Sequence, residues 1–341
     1  MTDPNLAPRL DQFRDIFRRL TAEVQRAIVG YDNLITDCLT AVFSRGHVLL
    51  EGVPGLGKTY LVKVLARVLG LAPGRVQCTP DLMPSDILGT HIVGEDATGR
   101  RVFRFERGPV FANVLLVDEI NRATPKTQSA LLEVMQECAV TIGGERHVVP
   151  LPFFVLATQN PMEMEGTYPL PEAQLDRFFF KVRVPFPKLE SLVEISKRTS
   201  GFTEPVLSEI LSGTALIEMQ ELLTHVPVAD PITSYAAQLV LATHPETEPR
   251  AVADSRAGKA TRFVSYGASP RGLQALVRAA RVFCVLDNRT AVSVEDIRRA
   301  APPALRHRVI LNFEGEAEAV DVDRLVADLI RELPAPGSKA A

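Results

Sequence analysis

The sequence predicts an α/β protein in which a domain with a parallel, doubly wound sheet precedes a smaller, all-helical domain. Two observations predict this fold class. In the first half of the 341-residue chain, four short apolar runs alternate with helical patterns, as strands and helices do in such a sheet. Beyond Pro185 to Pro187, the apolar residues follow a helical period and no comparable strand runs occur.

The first predicted element is an amphipathic helix between Leu10 and Val24. Its apolar residues recur at steps of three and four, which places them on one face of a helix. We interpret that face as packing surface. It comprises Leu10, Phe13, Phe17, Leu20 and Val24.

The four apolar runs have the length and composition of strands in a parallel sheet, and polar or turn-forming residues follow each of them. Between the strands, one helix extends from Lys58 to Leu69 and stops at Gly70. Another begins with Thr124 as its cap and Pro125 at its first position. The predicted strands are His47 to Leu50, Val114 to Val117, Phe153 to Ala157 and Phe180 to Val184.

We place a domain boundary near Pro187, which gives an α/β domain at residues 1–187 and a helical domain at residues 188–335. A stretch from Glu246 to Thr261, which contains Pro, Gly and charged residues, is predicted to be a loop, and residues 336–341 a flexible tail. The helices predicted in the second domain are Ile217 to Leu223, Ser234 to Thr243, Pro270 to Val285 and Val294 to Leu305.

Composition and charge exclude several classes of protein. No apolar run approaches the ~18 residues that a membrane span requires, and the amino terminus lacks a signal-peptide core, so we expect a globular cytoplasmic protein without membrane insertion. The formal net charge of −3 argues against a dedicated nucleic-acid binder. The four cysteines are too scattered for a CxxC pair and are expected to be buried, reduced thiols.

A GxxxxGK[ST] motif directly follows the first predicted strand and precedes an apolar-periodic helix, which is the context that a phosphate-binding loop requires. Its glycines let backbone N–H groups close around phosphate oxygens, and the helix amino terminus adds a positive dipole end. Lys58 is predicted to contact the β and γ phosphates, and Thr59 to hold Mg²⁺. The motif comprises Gly52, Val53, Pro54, Gly55, Leu56, Gly57, Lys58 and Thr59, and Tyr60 follows it.

Polar residues also end the second and third predicted strands. Asp118 and Glu119 follow Val114 to Val117 and are either two solvated carboxylates or an Mg²⁺ ligand and the acid that activates the attacking water. We favour the second interpretation because the phosphate loop lies upstream. Asn160, after the third strand, is either a turn residue before Pro161 or an amide that orients the water beside a γ-phosphate.

Two arginines lie next to predicted elements. Arg177 shortly precedes the strand Phe180 to Val184, and Arg271 opens a helix in the sequence Ser-Pro-Arg-Gly. The residues alone leave a simple explanation open for each. Arg177 could form a surface ion pair with Asp176, and Arg271 could be a solvated residue of a first helical turn.

These motifs in this order resemble those of AAA+ ATPases, and the longer sequence stretches around them resemble the MoxR family in particular. The general motifs are GVPGLGKT, VLLVDEINR, LATQNP, LPEAQLDRF and ASPRG. The resemblance covers nearly all of residues 20–310. Stretches that carry it beyond the general motifs are Pro80 to Asp86, Asp118 to Ala123, Pro125 to Glu133 and Glu165 to Pro171.

The resemblance implies a P-loop AAA+ core with a helical lid, ATP and Mg²⁺ as ligands, and a role for each site residue. Ile28, Val29 and Gly30 would flank the adenine, and Asn160 would be sensor 1. Arg177 would be the arginine finger, and Arg271 would be sensor 2, acting on the nucleotide of its own or of a neighbouring subunit. Because an arginine finger acts on a neighbour's nucleotide, the resemblance implies a homo-oligomeric ring, by family expectation a hexamer.

Two hairpin insertions are predicted, at about residues 86–108 and 139–150. In the first, strand-like arms from His91 to Phe105 flank a polar turn; the second turns at Gly143 and Gly144. The first resembles the helix-2 insert of this clade, and both would project from one ring face or toward the pore. Edge hairpins or simple loop elaborations are the alternatives.

The resemblance further implies a chaperone-like ATPase that remodels or matures partner protein complexes together with a von Willebrand factor A domain protein. Two alternatives stay open. A magnesium-chelatase-like motor subunit would share the core, and a nucleic-acid-stimulated motor would share the inserts. The near-neutral charge and the acidic residues near the first hairpin's arginines argue against nucleic acid. Those arginines are Arg100, Arg101, Arg104 and Arg107.

Overall fold

The computed structural model describes residues 6–95, 101–162, 166–200, 205–245 and 261–337. Four predictions fall wholly or partly outside these residues: the turn of the first hairpin, with Arg100; Glu165; the loop that begins at Glu246; and the flexible tail. Strands and helices are numbered separately in chain order.

Five parallel strands form the central sheet in the described part of the chain, and each of the four predicted strands is among them. They are β1 (Val48–Glu51), β2 (Pro73–Gln77), β5 (Val114–Asp118), β8 (Phe154–Gln159) and β9 (Phe180–Arg183). Their spatial order is β2, β5, β8, β1, β9, so that β8 lies between β5 and β1.

Both faces of this sheet are buried. In β5, Val114 and Leu116 belong to one apolar core, whereas Leu115 and Val117 belong to the other, because successive side chains along a strand point to opposite faces. Helices cover each face. This arrangement confirms the predicted doubly wound α/β fold.

The helices of the first domain lie on both sides of the sheet. The buried residues of the first helix are the five of the predicted apolar stripe, which confirms that prediction. Thr124 caps a later helix by accepting a hydrogen bond from the Thr127 N–H, with Pro125 at the first helical position, as predicted. On one face lie α1 (Leu6–Ala27), α2 (Asp32–Phe43) and α3 (Lys58–Val68); on the other lie α4 (Pro84–Leu88) and α5 (Pro125–Glu137).

The sequence pattern does not predict the edge strand β2. Its residues read Pro-Gly-Arg-Val-Gln, and of these Val76 alone is buried. An edge strand pairs on one side only, here with β5, and needs no continuous apolar run. The strand therefore lacks the signal by which the other four are recognised.

Both predicted hairpins are present, and in each the two strands pair antiparallel. Gly143 and Gly144 have φ angles of 60° and 85°, the left-handed conformations that a two-residue hairpin turn requires. The hairpins contact each other, because the Phe105 and His147 rings stack with centroids 4.1 Å apart. The hairpin strands are β3 (Gly89–Glu95), β4 (Arg101–Arg107), β6 (Ala139–Ile142) and β7 (Glu145–Val148).

After β9 the described chain is mainly helical, as predicted. It also contains one short antiparallel pair, β10 (Val264–Tyr266) and β11 (Ile310–Leu311), whose strands are too short to show a period of two in the sequence. The domain boundary at residue 187 stays a prediction. Two short helices are α6 (Glu172–Leu175), before β9, and α12 (Phe313–Ala317); the longer ones are α7 (Leu189–Thr199), α8 (Gly213–Thr224), α9 (Asp230–Leu241), α10 (Pro270–Leu286), α11 (Val294–Leu305) and α13 (Val322–Glu332).

None of the helices in the described ranges is both long and apolar enough to span a membrane. The four cysteines are free. Cys38, Cys78 and Cys284 are buried, and burial raises the pKa of each of these thiols. These three therefore behave as packing residues, as the sequence predicts.

Candidate active site

The phosphate loop and three strand ends meet at one edge of the sheet. The loop connects β1 to α3, Asp118 ends β5, and Asn160 directly follows β8. In a parallel sheet all carboxyl ends of the strands lie at the same edge, where open α/β sheets bind their ligands. We call this the carboxyl edge. The structure thus brings Lys58, Thr59, Asp118, Glu119 and Asn160 to one place.

Two left-handed glycines shape the loop. Gly55 and Gly57 have φ angles of 81° and 74°, which other residues rarely adopt, and no atom lies within 4 Å of where a Cβ would stand at either position. Both glycines therefore serve the curvature of the loop and not its packing. Gly57 is also the N-cap of α3, so the unpaired N–H groups of the first helical turn face the loop.

Lys58 lies within the curve of this loop. Its Nζ donates a hydrogen bond to the Gly52 carbonyl oxygen at 2.5 Å. Partial burial lowers the pKa of Lys58, and the negative charges of Asp118 and Glu119 oppose that shift. A phosphate oxygen can replace the Gly52 carbonyl as the acceptor, since both would lie beside the same loop.

Thr59 and Asp118 provide a pair of oxygens that suits Mg²⁺. The Thr59 Oγ1 lies 3.3 and 3.4 Å from the two carboxylate oxygens of Asp118. Mg²⁺ prefers octahedral oxygen ligands and usually takes one or two from the protein, the remainder being water and substrate phosphate. The part of the chain that the structure describes holds no cluster of three His, Cys, Asp or Glu side chains suited to a metal. The pair therefore fits an ion shared with a nucleotide.

Glu119 has an unusual backbone conformation. Its φ is 56°, in the left-handed region that a glutamate rarely occupies, and its N–H donates to the Thr158 Oγ1 at 2.9 Å. Its Oε2 accepts hydrogen bonds from the Arg122 Nη1 and the Gln77 Nε2, both at 3.2 Å. Such conformations cluster at functional sites, where surrounding contacts hold them in place. The geometry therefore favours a functional carboxylate over a solvated one.

Two residues of β2 join this site, and sequence interpretation missed both. The Arg75 Nε donates to the Asp118 Oδ2 at 3.0 Å, and the Arg75 Nη2 donates to the Gln77 Oε1 at 2.9 Å. Since Gln77 also donates to Glu119, one series of hydrogen bonds links the two acids. The available signal is the spacing of two polar residues at i and i+2, which places them on one face of a strand.

Asn160 fits both explanations that the sequence left open. Its Oδ1 accepts a hydrogen bond from the Met162 N–H at 3.1 Å, as a turn residue would. Its side chain is also buried, and it follows the strand that lies between β5 and β1. The turn therefore holds the amide at the end of the strand that lies between the strand of Asp118 and the strand that leads into the phosphate loop.

An apolar pocket of about 370 Å³ adjoins the phosphate loop. Its lining includes Val29, Leu56 and Tyr60, which were expected near the nucleotide, and also Phe186 and Leu192 from the segment that follows β9. The last two have no motif around them. A flat, apolar base fits a pocket of this size and lining.

Gly30 does not line this pocket, although Val29 and Tyr31 do. Gly30 has a φ of 78°, and a Cβ at this position would lie 2.2 Å from the Ser191 Oγ. Its contribution is the close approach of α7 to the segment between α1 and α2. The pocket's wall depends on that approach, since Leu192 belongs to α7.

The two predicted arginines lie at the opposite edge of the sheet. Arg177 precedes β9, and the nearby Phe179 N–H donates to the His47 carbonyl oxygen at the start of β1, at 2.8 Å. We call this the amino edge. The four residues of β9, each rising about 3.3 Å, separate the two edges by about 13 Å. Arg177 and Arg271 together line a cavity of about 200 Å³ at the amino edge.

Arg177 does not follow its simple explanation, whereas Arg271 is an exposed first-turn residue that also lies beside Asp176. In the described chain Arg177 forms no ion pair with Asp176; its Nη1 donates to the Leu132 carbonyl oxygen at 2.8 Å. Asp176 instead accepts a hydrogen bond from the Ser269 Oγ at 2.8 Å and lies 3.4 Å from the Arg271 Nη1. The two arginines are thus neighbours, and both are remote from the phosphate loop of their own chain.

Comparison with known proteins identifies the family. Residues 47–180 match the ATPase family associated with various cellular activities (AAA), and residues 256–329 match the AAA lid domain. The chain is 43% identical to Chaperone MoxR1 of Mycobacterium tuberculosis, over 93% of this chain and 82% of that protein. It is 36% identical to Protein MoxR of Methylorubrum extorquens, over 96% of this chain and 97% of that protein.

A solved structure agrees with these relatives. A crystal structure described as that of a "putative ATPase" from Cytophaga hutchinsonii superimposes with a TM-score of 0.86 at 39% identity. The match covers 95% of this chain and 96% of that chain. Sequence and structure therefore agree along nearly the whole length, including the sheet, the phosphate loop and the lid. The protein belongs to the MoxR family of AAA+ ATPases, and it is an ATP-hydrolysing enzyme.

Proposed function

We propose that this protein is a ring-forming, Mg²⁺-dependent MoxR-type ATPase, a hexamer by family expectation, that remodels or matures partner protein complexes in a chaperone-like way. The observation that supports a ring is the separation between the amino edge and the carboxyl edge of the sheet. An arginine at the amino edge cannot reach a nucleotide at the carboxyl edge of the same sheet about 13 Å away. It can reach the nucleotide of an adjacent copy.

At the carboxyl edge, each side chain has a role in the hydrolysis of ATP. Lys58 binds the β and γ phosphates, while Thr59 and Asp118 hold Mg²⁺, which neutralises charge on the phosphates when it is bound. Glu119 accepts the proton of the attacking water, and Asn160 orients that water. The contacts of Glu119 with Gln77 and Arg122 support this assignment, because they aim its carboxylate before the substrate arrives.

At the amino edge, the cavity shared by Arg177 and Arg271 is strongly basic. Among its lining residues are five arginines and one acid: Arg45, Asp176, Arg177, Arg271, Arg278 and Arg308. Burial lowers the pKa of Arg278, and the charges of Arg45 and Arg281 lower it further. A phosphate group of a neighbouring nucleotide would offset this crowding of positive charge. Such a head-to-tail contact between identical chains closes into a ring when the rotation allows it.

The assignment of Arg177 to a neighbour's nucleotide is tested by mixing two inactive variants. Arg177→Ala keeps an intact phosphate loop, and Lys58→Ala keeps an intact amino edge. In an equal mixture, about a quarter of the interfaces join the intact halves, so activity should return toward that fraction of the wild-type rate. If both variants assemble normally, as checked by sedimentation, and the mixture stays inactive, the proposed ring mechanism is wrong.

The client is proposed to be a protein. Phe103 and Val93 are 80% and 60% exposed on the first hairpin, and apolar side chains in such positions suit contact with a protein. On the same hairpin, the Arg107 guanidinium lies over the Phe111 ring at 5.3 Å and Arg101 is cross-strand from Glu95. The printed name of the M. tuberculosis relative, Chaperone MoxR1, agrees with this reading. A von Willebrand factor A domain partner is part of the proposal through the family resemblance.

The client is identified with the Glu119→Gln variant, which should bind ATP without hydrolysing it and so retain what it holds. We expect a von Willebrand factor A domain protein and its target complex to co-purify with this variant and not with Lys58→Ala. Salt-sensitive stimulation of the ATPase by DNA would instead support the nucleic-acid motor. A cytoplasmic location belongs to the same proposal, since four free thiols suit a reducing compartment.

A further inference from the structure

A lid arginine, Arg308, binds the loop that carries Arg177. Its guanidinium donates to three main-chain carbonyl oxygens of that loop, those of Asp176 at 3.1 Å, Phe178 at 2.6 Å and Phe179 at 3.2 Å. It also forms an ion pair with the Asp176 carboxylate at 2.9 Å. One side chain thus fixes the main chain on both sides of Arg177.

These bonds occupy Arg308 fully. Its side chain is buried, with 5% of the residue exposed, and its Nη1 also donates to the Ala304 carbonyl oxygen of the preceding helix, α11. Burial lowers the pKa of Arg308 to about 10, and the Asp176 charge opposes that shift, so the guanidinium stays protonated at neutral pH. With its donors directed at its own chain, Arg308 is not free to bind a phosphate.

The loop needs such a partner. Residues 176–179 lie outside helices and strands, so their carbonyl oxygens receive no regular ladder of hydrogen bonds. A planar guanidinium offers five N–H donors in a fixed geometry and can satisfy several acceptors at once, which a lysine ammonium cannot do with the same precision.

The residues before Arg308 extend the same contact. The His307 Nε2 donates to the Phe178 carbonyl oxygen at 3.0 Å, and the Arg306 Nη1 donates to the Lys181 carbonyl oxygen at 3.1 Å. Three consecutive side chains of the lid therefore bind the segment that leads from Arg177 into β9. Movement of this part of the lid must move the loop with it.

The second arginine is joined to the same cluster. Asp176, held by Arg308, accepts a hydrogen bond from the Ser269 Oγ and lies beside Arg271. Ser269 is the N-cap of α10, the helix on which Arg271 stands. Asp176 therefore connects the loop of Arg177 to the first turn that carries Arg271.

We propose that Arg308 is a positioning residue of the amino edge, which fixes Arg177 and Arg271 relative to each other so that the lid sets their approach to a neighbouring subunit's nucleotide. This inference rests on the proposed ring. It predicts that loss of Arg308 damages the amino edge alone and leaves the nucleotide site of the same chain intact.

Mixed rings test this separation with Arg308→Lys, which keeps the charge and loses the planar fork. By itself the variant should turn over ATP at least about tenfold more slowly, while its Kd for ATP stays within about twofold of wild type. An equal mixture with Lys58→Ala should regain activity at about a quarter of the interfaces. A mixture with Arg177→Ala should not exceed the residual rate of Arg308→Lys alone, because both defects lie at the same edge.

A second lid arginine provides the control. Arg289 forms a short ion pair with the buried Asp296, away from the loop of Arg177. Arg289→Lys should lower the melting temperature without changing turnover per folded chain. If Arg308→Lys itself fails to fold, Asp176→Asn retains the loop's carbonyl groups and should give the same pattern of rescue with a smaller defect.

The outcomes separate the two proposals. If the reference mixture of Arg177→Ala with Lys58→Ala recovers no ATPase activity, the proposed ring mechanism is wrong. Recovery in that mixture together with no recovery of Arg308→Lys by Lys58→Ala would overturn the positioning role alone. A parallel loss of ATP binding in Arg308→Lys, or wild-type turnover, would overturn it as well.

Discussion

The two edges of the sheet hold their functional side chains in different ways. At the carboxyl edge the two oxygens expected to hold the metal ion make only long contacts with each other, as between Thr59 and Asp118 at 3.3 Å. At the amino edge side chains bind main-chain carbonyl groups at short distances, as between Arg177 and Leu132 at 2.8 Å. The first arrangement is easily exchanged, whereas the second is fixed.

This difference follows from what each edge has to do. Groups that accept a nucleotide and a metal ion must give up their present partners, so weak contacts among them favour binding. Arginines that complete a neighbour's site, as proposed for Arg177 and Arg271, would meet a ligand which they do not hold themselves, so their own chain would have to set their position in advance. The comparison teaches that the Thr59–Asp118 pair of the carboxyl edge is adaptable, whereas the arginine loop of the amino edge is preorganised.

The largest effect is expected for Glu119→Gln. Removing the acid that we propose activates water should lower turnover by about a hundredfold or more, while ATP binding persists because the phosphate loop is unchanged. Turnover and Kd are measured separately. Glu316→Gln, an exposed carboxylate in the lid, serves as the control. Unchanged turnover in Glu119→Gln would contradict this assignment, since another group would then have to activate the attacking water.

A smaller effect is expected for Arg75→Met, which removes the ion pair with Asp118 and the support of Gln77. Turnover should fall by about tenfold, as the loss of a charge-assisted hydrogen bond suggests, with little change in ATP affinity. Arg18→Met, which breaks an exposed pair with Asp15 on α1, provides the control. Equal turnover in the two variants would show that the contacts of β2 with Asp118 and Glu119 do not contribute to hydrolysis.

Gly30→Ala should raise the KM for ATP by about fivefold, which corresponds to about 1 kcal/mol, because the added Cβ would clash with Ser191 and push α7 from the base pocket. Gly144→Ala carries backbone strain in open space, at a φ of 85°, and should leave the KM unchanged. Adding Ser191→Gly to Gly30→Ala removes the clash and should restore part of the affinity. No recovery in the double variant would argue against the packing explanation.

The smallest effect concerns His47, half-buried at the amino edge. Its Nε2 bonds to the Met135 carbonyl oxygen and its Nδ1 accepts from the Val155 N–H. Burial lowers the pKa of His47 to about 4, so the folded protein keeps it neutral while the unfolded chain takes up a proton below pH about 6.5. Stability is therefore present above that pH and is lost as the pH falls toward 4.

Between pH 7 and 5.5 this linkage should cost about 1 kcal/mol of the free energy of unfolding. His307, whose pKa burial also lowers, adds in the same direction. Denaturant unfolding of His47→Gln should show a shallower dependence on pH than wild type. His225→Gln, which removes an exposed histidine, should follow the wild-type curve. If stability depends on pH equally in wild type and in His47→Gln, burial does not lower the pKa of His47 and this explanation is wrong.

The carboxyl edge was largely predictable from sequence, because its residues sit in short motifs at strand ends. Lys58 and Thr59 follow one apolar run, and Asp118 and Glu119 follow another, so local pattern places them together once the sheet is recognised as parallel. Arg75 and Gln77 escaped because β2 is a half-exposed edge strand. Sequence period detects strands through burial on both faces, and β2 lacks it.

The amino edge was predictable only as two isolated arginines. The family resemblance gave Arg177 and Arg271 their expected roles, but nothing local connects them across more than ninety residues of chain. Arg308, which joins them, stands in an Arg-His-Arg sequence that reads as an ordinary helix end. Tertiary contacts between a loop and a distant turn leave no period in the sequence, and they appear only in the folded chain.

The length of the short strand β9 sets the distance between the two edges, and that length depends on main-chain geometry alone. Replacing side chains can strengthen or weaken either edge without altering that distance. An inserted residue would add about 3.3 Å and turn every following side chain to the other face of the sheet. We therefore expect this region to accept substitutions during evolution while its length is kept, so that a gap in an alignment here would mark a ring of different dimensions.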